Sequence, residues 1–482
     1  MKRMIAVAAS VMLAAACQDG QAPLTLETGT PASLLGIRPA VRVDPVLRNL
    51  LNMASPAQQL EVLVTFDPAV TTADAVARAL TRSGAGIIRF EHLPIVYAVA
   101  TPVQITGISA HPGVISLFAN KQLRYQMSES LRSIRADVAH VEGYTGKGVG
   151  VAILDSGIDG LFSPDLKYPS RTVKNVKIVA GWRDLALFGE GQAPLASDLY
   201  LDNVPNSETS VGHGTHVAGT AAGDGTASGG KYTGVAPEAN LIGVGAGDVL
   251  FVLFTLAGFD YILDNQAAYN IQVVNNSWGG SGVFDPADPV NVATKRVYDR
   301  GIAVVFAAGN EGPAENTLNP YSAAPWVISV AAGCKTVSPD PTNSEAQCVD
   351  GRANLLADFS SRGVPGDALY HPDVVAPGVN IVSTRAALGV VINGTAAPDD
   401  LTTCQIPDGL EVFYTCIDGT SMAAPHVAGA IALLEQAAGG NLTPDQAYQA
   451  IRATAKPMPG YAQWEVGAGY LDAYAAVQAV RP

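Results

Sequence analysis

Three short segments hold residues that could break an acyl bond. Asp155 directly follows the apolar run Val149–Leu154, in Leu154-Asp-Ser-Gly-Ile158. His213 lies between glycines in Gly212-His-Gly-Thr-His-Val-Ala-Gly-Thr220 and opens an Ala-rich stretch fit for a helix. Ser421 stands in Gly419-Thr-Ser-Met-Ala-Ala-Pro-His-Val-Ala-Gly429, where a helical run toward Ala438 begins. A serine hydroxyl is a weak nucleophile until a base takes its proton, and an imidazole base needs an orienting carboxylate. Together the three residue types point to nucleophilic acyl transfer. Each alone has a plainer explanation: a turn-forming Asp before Gly157, a structural His, a Ser helix cap. A metal reading of His213 with His216 lacks the Glu of the His-Glu-x-x-His pattern, so His216 reads as a structural neighbour.

The elements that must position these residues are legible from the pattern. Val149–Leu154, Ile271–Asn275 and Ile302–Phe306 are continuous apolar strands alternating with helical segments. Such strands imply a parallel sheet covered on both faces, an α/β fold. Asp155 then falls at a strand's carboxyl end, where open α/β sheets place their sites. Ser421 at a helix start would have unpaired N–H groups and a positive dipole end nearby, which suits a developing oxyanion. Upstream the rhythm differs. Strand-like Glu61–Phe66, Gly86–Phe90, Val96–Ala100 and Gly113–Phe118 are interleaved with helical stretches at 72–82 and 104–110, a β-α-β-β-α-β order.

The order Asp…His…Ser and the three quoted segments resemble the signature segments of subtilisin-like serine proteases, from about residue 60 to the end. The resemblance implies a subtilisin-like peptidase domain over 143–482, with Asp155, His213 and Ser421 as a triad working through an acyl-enzyme. It places the oxyanion donor on Asn310, in Ala307-Ala-Gly-Asn-Glu-Gly312. It assigns one wall of the first specificity pocket to Ser277, Trp278 and Gly279 and the other to Ala308 and Gly309. The segment 59–127 resembles the small α+β, ferredoxin-like propeptide that inhibits these enzymes until cut, with a processing junction at 128–142 and a cut between about Leu123 and Arg135. The implied partners are protein or peptide substrates and the chain's own propeptide. No cofactor is needed for the chemistry. Family members often hold structural calcium, for which Asp198, Asp202 and Asn203 are the candidate ligands; no metal site is assigned. The sequence departs from the family at Ser156, where Thr is common, at Gly243–Val249, and in an insert around Cys404–Cys416. A rival of another class is a catalytically silent, surface-anchored binding protein on the same scaffold; the presence of all four key residues speaks against it.

The rest of the chain sets the context. Of 482 residues, 48% are hydrophobic and 15% charged, a composition able to fill more than one core. A net charge of −14 argues against nucleic acid as a partner, which would need clustered Lys and Arg. Lys2 and Arg3, the apolar run 4–13 and Ala14–Ala16 read as a signal peptide over 1–16, too short to span a membrane. Leu-Ala-Ala-Ala-Cys17 resembles a bacterial lipobox, although Ala14 stands where Leu is usual. That resemblance implies lipidation of Cys17 and an export or envelope location; plain cleavage after Ala16 stays open. Residues 17–58 read as a tether. The remaining cysteines allow three pairings. Proximity favours Cys334–Cys348 and Cys404–Cys416, which an exported compartment permits, and no Cys-x-x-Cys spacing suggests zinc.

Overall fold

The computed structural model describes residues 41–80, 86–120, 122–125, 131–179, 195–247, 250–335 and 355–482. The leader, Cys17 and Cys348 lie outside them.

The first part of the described chain is a five-stranded sheet: β1 (Arg42–Val43), β2 (Leu60–Phe66), β3 (Ile87–Arg89), β4 (Ile95–Ala100) and β5 (Val114–Ala119), in the order β1-β5-β2-β4-β3. Helices α1 (Pro45–Met53), α2 (Ala73–Leu80) and α3 (Pro102–Ile108) accompany it. β2 and β4 are apolar on both faces because both are buried. Val62, Val64 and Ala98 pack in a core with α2 and α3, whereas Leu63, Tyr97 and Phe118 join a core that belongs to the larger sheet. The stretch 17–58 was expected to be a tether, and from residue 41 it is not. β1 pairs in parallel with β5, and Leu47 of α1 is fully buried. Pro45 at the helix start and a single apolar stripe are too brief a signal to outweigh the Pro- and Gln-rich surroundings.

Next comes β6 (Gln122–Tyr125), followed by α4 (Ala136–Val141). The expected junction 128–142 is in its second half part of the larger core: Ala136 and Ala139 are fully buried, and Arg135 pairs with Asp472 at 2.9 Å.

The larger sheet uses β7 (Gly150–Asp155), β8 (Thr172–Ile178), β9 (Tyr200–Asp202), β10 (Asn240–Gly245), β12 (Ile271–Asn276), β14 (Ala303–Ala307), β15 (Ile328–Gly333) and β16 (Val374–Pro377). Short strands β11 (Leu250–Phe251), β13 (Trp278–Gly279), β17 (Ile381–Thr384) and β18 (Tyr414–Ile417) lie outside it. Its order is β16-β15-β14-β12-β7-β10-β8-β9, parallel apart from the β8–β9 edge. Helices α5 (His213–Ala222) and α9 (Thr420–Ala437) pack on one face, α6 (Val252–Tyr269) and α7 (Pro289–Asp299) on the other. Helices α8 (Val390–Thr402), α10 (Pro444–Thr454), α11 (Gln463–Val466) and α12 (Ala473–Val480) complete the chain. The connections leave β7 with β10 on one side and β12 on the other, so a crevice opens beyond its carboxyl end. Among the described residues no helix is long and apolar enough to cross a membrane.

Candidate active site

Asp155 closes β7 and is fully buried. Its Oδ1 accepts from His213 Nδ1 at 2.5 Å and from the Ser156 backbone N–H at 2.7 Å. A carboxylate can only accept, so the imidazole proton resides on Nδ1 and Nε2 is the basic nitrogen of the ring. His213 opens α5, which reaches this close to the Asp155 loop because Gly214 has no side chain. A Cβ there would lie 2.2 Å from the Gly157 carbonyl oxygen.

Ser421 lies in the first turn of α9 and is buried. Pro425 stands four residues on and has no N–H to give the Ser421 carbonyl. Ser277 fills that gap: its hydroxyl donates to Ser421 O at 2.5 Å, and the Ser421 hydroxyl donates to Ser277 O at 2.9 Å. The pair locks the start of α9 to the end of β12. Asn310 approaches from the loop after β14. Its Oδ1 accepts from the Thr420 N–H at 2.9 Å and the Thr420 hydroxyl at 2.8 Å. With the amide oxygen committed, the amide nitrogen is the group left to donate. The Thr420 hydroxyl in turn accepts from Gly309 N at 3.1 Å.

The two expected pocket walls stand side by side. Asn319, which the sequence reading did not single out, joins them: its amide nitrogen donates to Trp278 O and to Ala307 O, both at 3.0 Å. Gly279 must be glycine, since a Cβ would meet that amide at 2.7 Å. Trp278 contributes backbone only. Its indole is fully buried, donates to Leu154 O at 2.8 Å and sits edge-on to Phe306, so the side chain belongs to the core. β6 runs antiparallel between these edges. Tyr125 pairs with Trp278 and Arg124 with Gly279 on one side, Leu123 with Leu250 and Gln122 with Phe251 on the other. A strand added at a cleft edge is how an extended peptide binds.

A second carboxylate supports the first. Glu208, almost fully buried, takes the Thr215 N–H at 2.8 Å and the Thr215 hydroxyl at 2.7 Å on one oxygen, and Thr209 N–H at 2.9 Å on the other. It also bonds the Ser156 hydroxyl, which accepts from Gly214 N at 2.8 Å. Burial pushes its carboxyl above the usual range. Gly212 offers α5 no side-chain cap, so Glu208 supplies the acceptor from outside the helix. An acidic residue five places before His213 carries no pattern of its own, which is why the sequence gave no sign of it. His216 is a structural residue: its ring bonds the Thr415 carbonyl at 3.1 Å, and burial lowers its pKa to about 3.

The remaining candidates sort readily. Cys404 is disulfide-bonded to Cys416. Cys334 is buried near the end of β15, and its expected partner lies outside the described residues. The calcium ligands are otherwise engaged. Lys174 Nζ donates to Asp202 at 2.5 Å and to Asn203 at 3.0 Å, so an ammonium takes the place of a divalent ion. Asp198 accepts from Leu195 N in its own turn. As arranged around Lys174, Asp202 and Asn203 do not fit a calcium site.

Comparison with known proteins finds relatives over most of this chain. Residues 146–470 match the Subtilase family. Serine protease AprX of Bacillus subtilis is 29% identical over 376 residues, 76% of this chain and 74% of that protein. Subtilisin of Bacillus pumilus is 32% identical over 314 residues, 63% of this chain and 82% of that protein. Among solved structures, fervidolysin from Fervidobacterium pennivorans superposes with a TM-score of 0.59 over 91% of this chain at 22% identity. That match spans 63% of the fervidolysin chain, less than two thirds of its length, and speaks to the fold.

Proposed function

This chain belongs to the subtilase family and is a serine-type endopeptidase, and from that premise we propose that it cuts extended protein segments with Ser421 after first cutting itself. The observation that carries the reading is the Asp155–His213 hydrogen bond at the carboxyl end of β7, with His213 and Ser421 at the starts of two helices, α5 and α9, that pack on each other. In the proposed cycle a substrate strand lies where β6 lies, between β11 and β13. His213 Nε2 takes the Ser421 proton as the hydroxyl oxygen attacks the peptide carbonyl. Asp155 holds the tautomer and balances the imidazolium. The Asn310 amide and the Ser421 N–H receive the oxyanion. His213 then protonates the leaving amine, and water releases the acyl group by the reverse path.

The domain that ends with β6 is proposed as an intramolecular inhibitor. Its strand fills the substrate's place, and it runs along β13 from Gly279 toward Trp278, the end nearer Ser277. The self-cut is therefore expected within a few residues after Tyr125. A parallel sheet of this order is slow to form, which gives a folding role to a domain made first. Export, with or without a lipid on Cys17, fits the leader-like start and a disulfide at Cys404–Cys416. The test is intact-mass analysis of exported wild type and Ser421→Ala. Loss of the small domain in wild type only is expected; equal processing of both would overturn self-cleavage.

A further inference from the structure

The segment between β17 and β18 is the largest departure from the family pattern noted in the sequence, and it builds a surface beside His213. It begins at Arg385, includes α8 and returns to β18, which leads directly to Ser421. Val391 N donates to Ser210 O at 3.1 Å and Ile392 N to Val211 O at 3.3 Å, so α8 is fastened to the residues just before His213. The backbones touch: a Cβ on Gly212 would come within 2.9 Å of Gly389 Cα. The far end is fixed by the Cys404–Cys416 disulfide and by Asp400, which accepts from Cys416 N at 2.6 Å.

A cavity of about 540 Å³ opens between this insert and the loop after Asp155; Phe162, Ala386, Ala387, Val412 and Phe413 form its apolar lining, and Arg385, Asn393 and Glu411 its polar part. Buried Asp159 sets both rims. One of its oxygens takes the N–H groups of Leu161 and Phe162, at 3.2 and 3.0 Å; the other takes Ala387 N at 3.0 Å. Phe162, Leu388, Val390, Val391 and Val412 are 53–71% exposed on or next to these rims. Single exposed apolar residues need no explanation, but a cluster around a fixed cleft marks a binding surface. Arg385 brings no free charge, since it pairs with Asp400 at 3.7 Å and donates to Glu411 O at 2.7 Å.

Chain direction identifies the occupant. β6 marks the acyl side of the cleft and runs toward Ser277 and Ser421. The leaving amine must take its proton from His213, so the leaving half of a substrate emerges beside the Ser210–Gly212 segment that α8 covers. We propose that this cavity receives the leaving half of the peptide substrate and selects bulky apolar side chains in the first few residues after the scissile bond. The inference rests on the peptidase reading above.

The test uses peptide pairs with one acyl half and leaving halves that differ only in Leu or Phe against Ser. For wild type the ratio of kcat/KM within a pair should favour the apolar member by about tenfold or more. Val412→Asp and Phe162→Ser should bring the ratio toward one. The ratio cancels the amount of active enzyme, so partial misfolding of a variant does not affect it. A nitroanilide with the same acyl half reads the peptidase itself. No turnover of it by the processed wild type would sink the parent reading. Turnover with a pair ratio near one, or a ratio unmoved by both variants, would overturn this proposal. So would loss of concentration-dependent self-association in Val412→Asp at an unchanged ratio, which would make a second copy the occupant.

Discussion

Asn310→Ala should lower kcat by about 10²–10³ with little change in KM. The value follows from what the structure leaves the side chain free to do. Two donors on Thr420 hold the amide oxygen at 2.9 and 2.8 Å, so the amide cannot turn over and its nitrogen is the donor presented to the cleft. Losing such a donor costs about 2.7–4 kcal/mol in the transition state, a magnitude established on subtilisin itself, a member of this family. Thr420→Val gives a graded control. It removes the hydroxyl but keeps the Thr420 N–H bond to Asn310, a loss of about 0.5–1.5 kcal/mol in holding the amide, or up to about tenfold in kcat; it also takes the acceptor from Gly309 N, which should show as a lower Tm. The assay is steady-state kinetics on a nitroanilide peptide, with active sites counted by burst titration. If Asn310→Ala raised KM at unchanged kcat, the residue would bind the ground state and the oxyanion assignment would be wrong.

Other expectations follow from the same contacts. Glu208→Gln turns an amide N–H₂ toward a backbone N–H, which should loosen α5 and lower kcat at nearly constant KM, together with a fall of several degrees in Tm; unchanged kcat and Tm would remove Glu208 from the support of His213. Burial lifts the Glu435 carboxyl from 4.5 to about 7. The folded chain therefore binds that proton more readily than the unfolded one, and the contribution to stability is fullest at low pH and is lost as pH rises to 7 and above. Thermal melts of Ser421→Ala, which cannot digest itself, should show this loss, and adding Glu435→Gln should flatten it; equal slopes in both proteins would contradict the burial argument.

What the sequence revealed was whatever a short stretch encodes by itself. Apolar runs such as Val149–Leu154 gave the buried strands, and Asp155, His213 and Ser421 stood out because each ends or begins such an element. The partners that hold them are encoded only by the fold. Asn319 reaches Trp278 and Ala307 from a separate loop, and Glu208 meets Ser156 across two connections. Trp278 was read as pocket wall from its place in the motif, yet the backbone turns its ring into the core. Asp202 and Asn203 looked like ion ligands because Lys174, whose ammonium they hold, lies on β8 and not beside them in sequence. Helix α8 escaped notice because its sequence, Val390–Thr402, has no regular apolar face, and its position is fixed by Asp400 and a disulfide.

The most direct test of the central claim is labelling with a fluorophosphonate, which loses fluoride to an activated serine. Processed wild type should carry the adduct on the peptide containing Ser421, and His213→Ala should lose it while keeping its fold by circular dichroism. Processed, folded wild type that took no label at Ser421, or took it at another serine, would contradict the account.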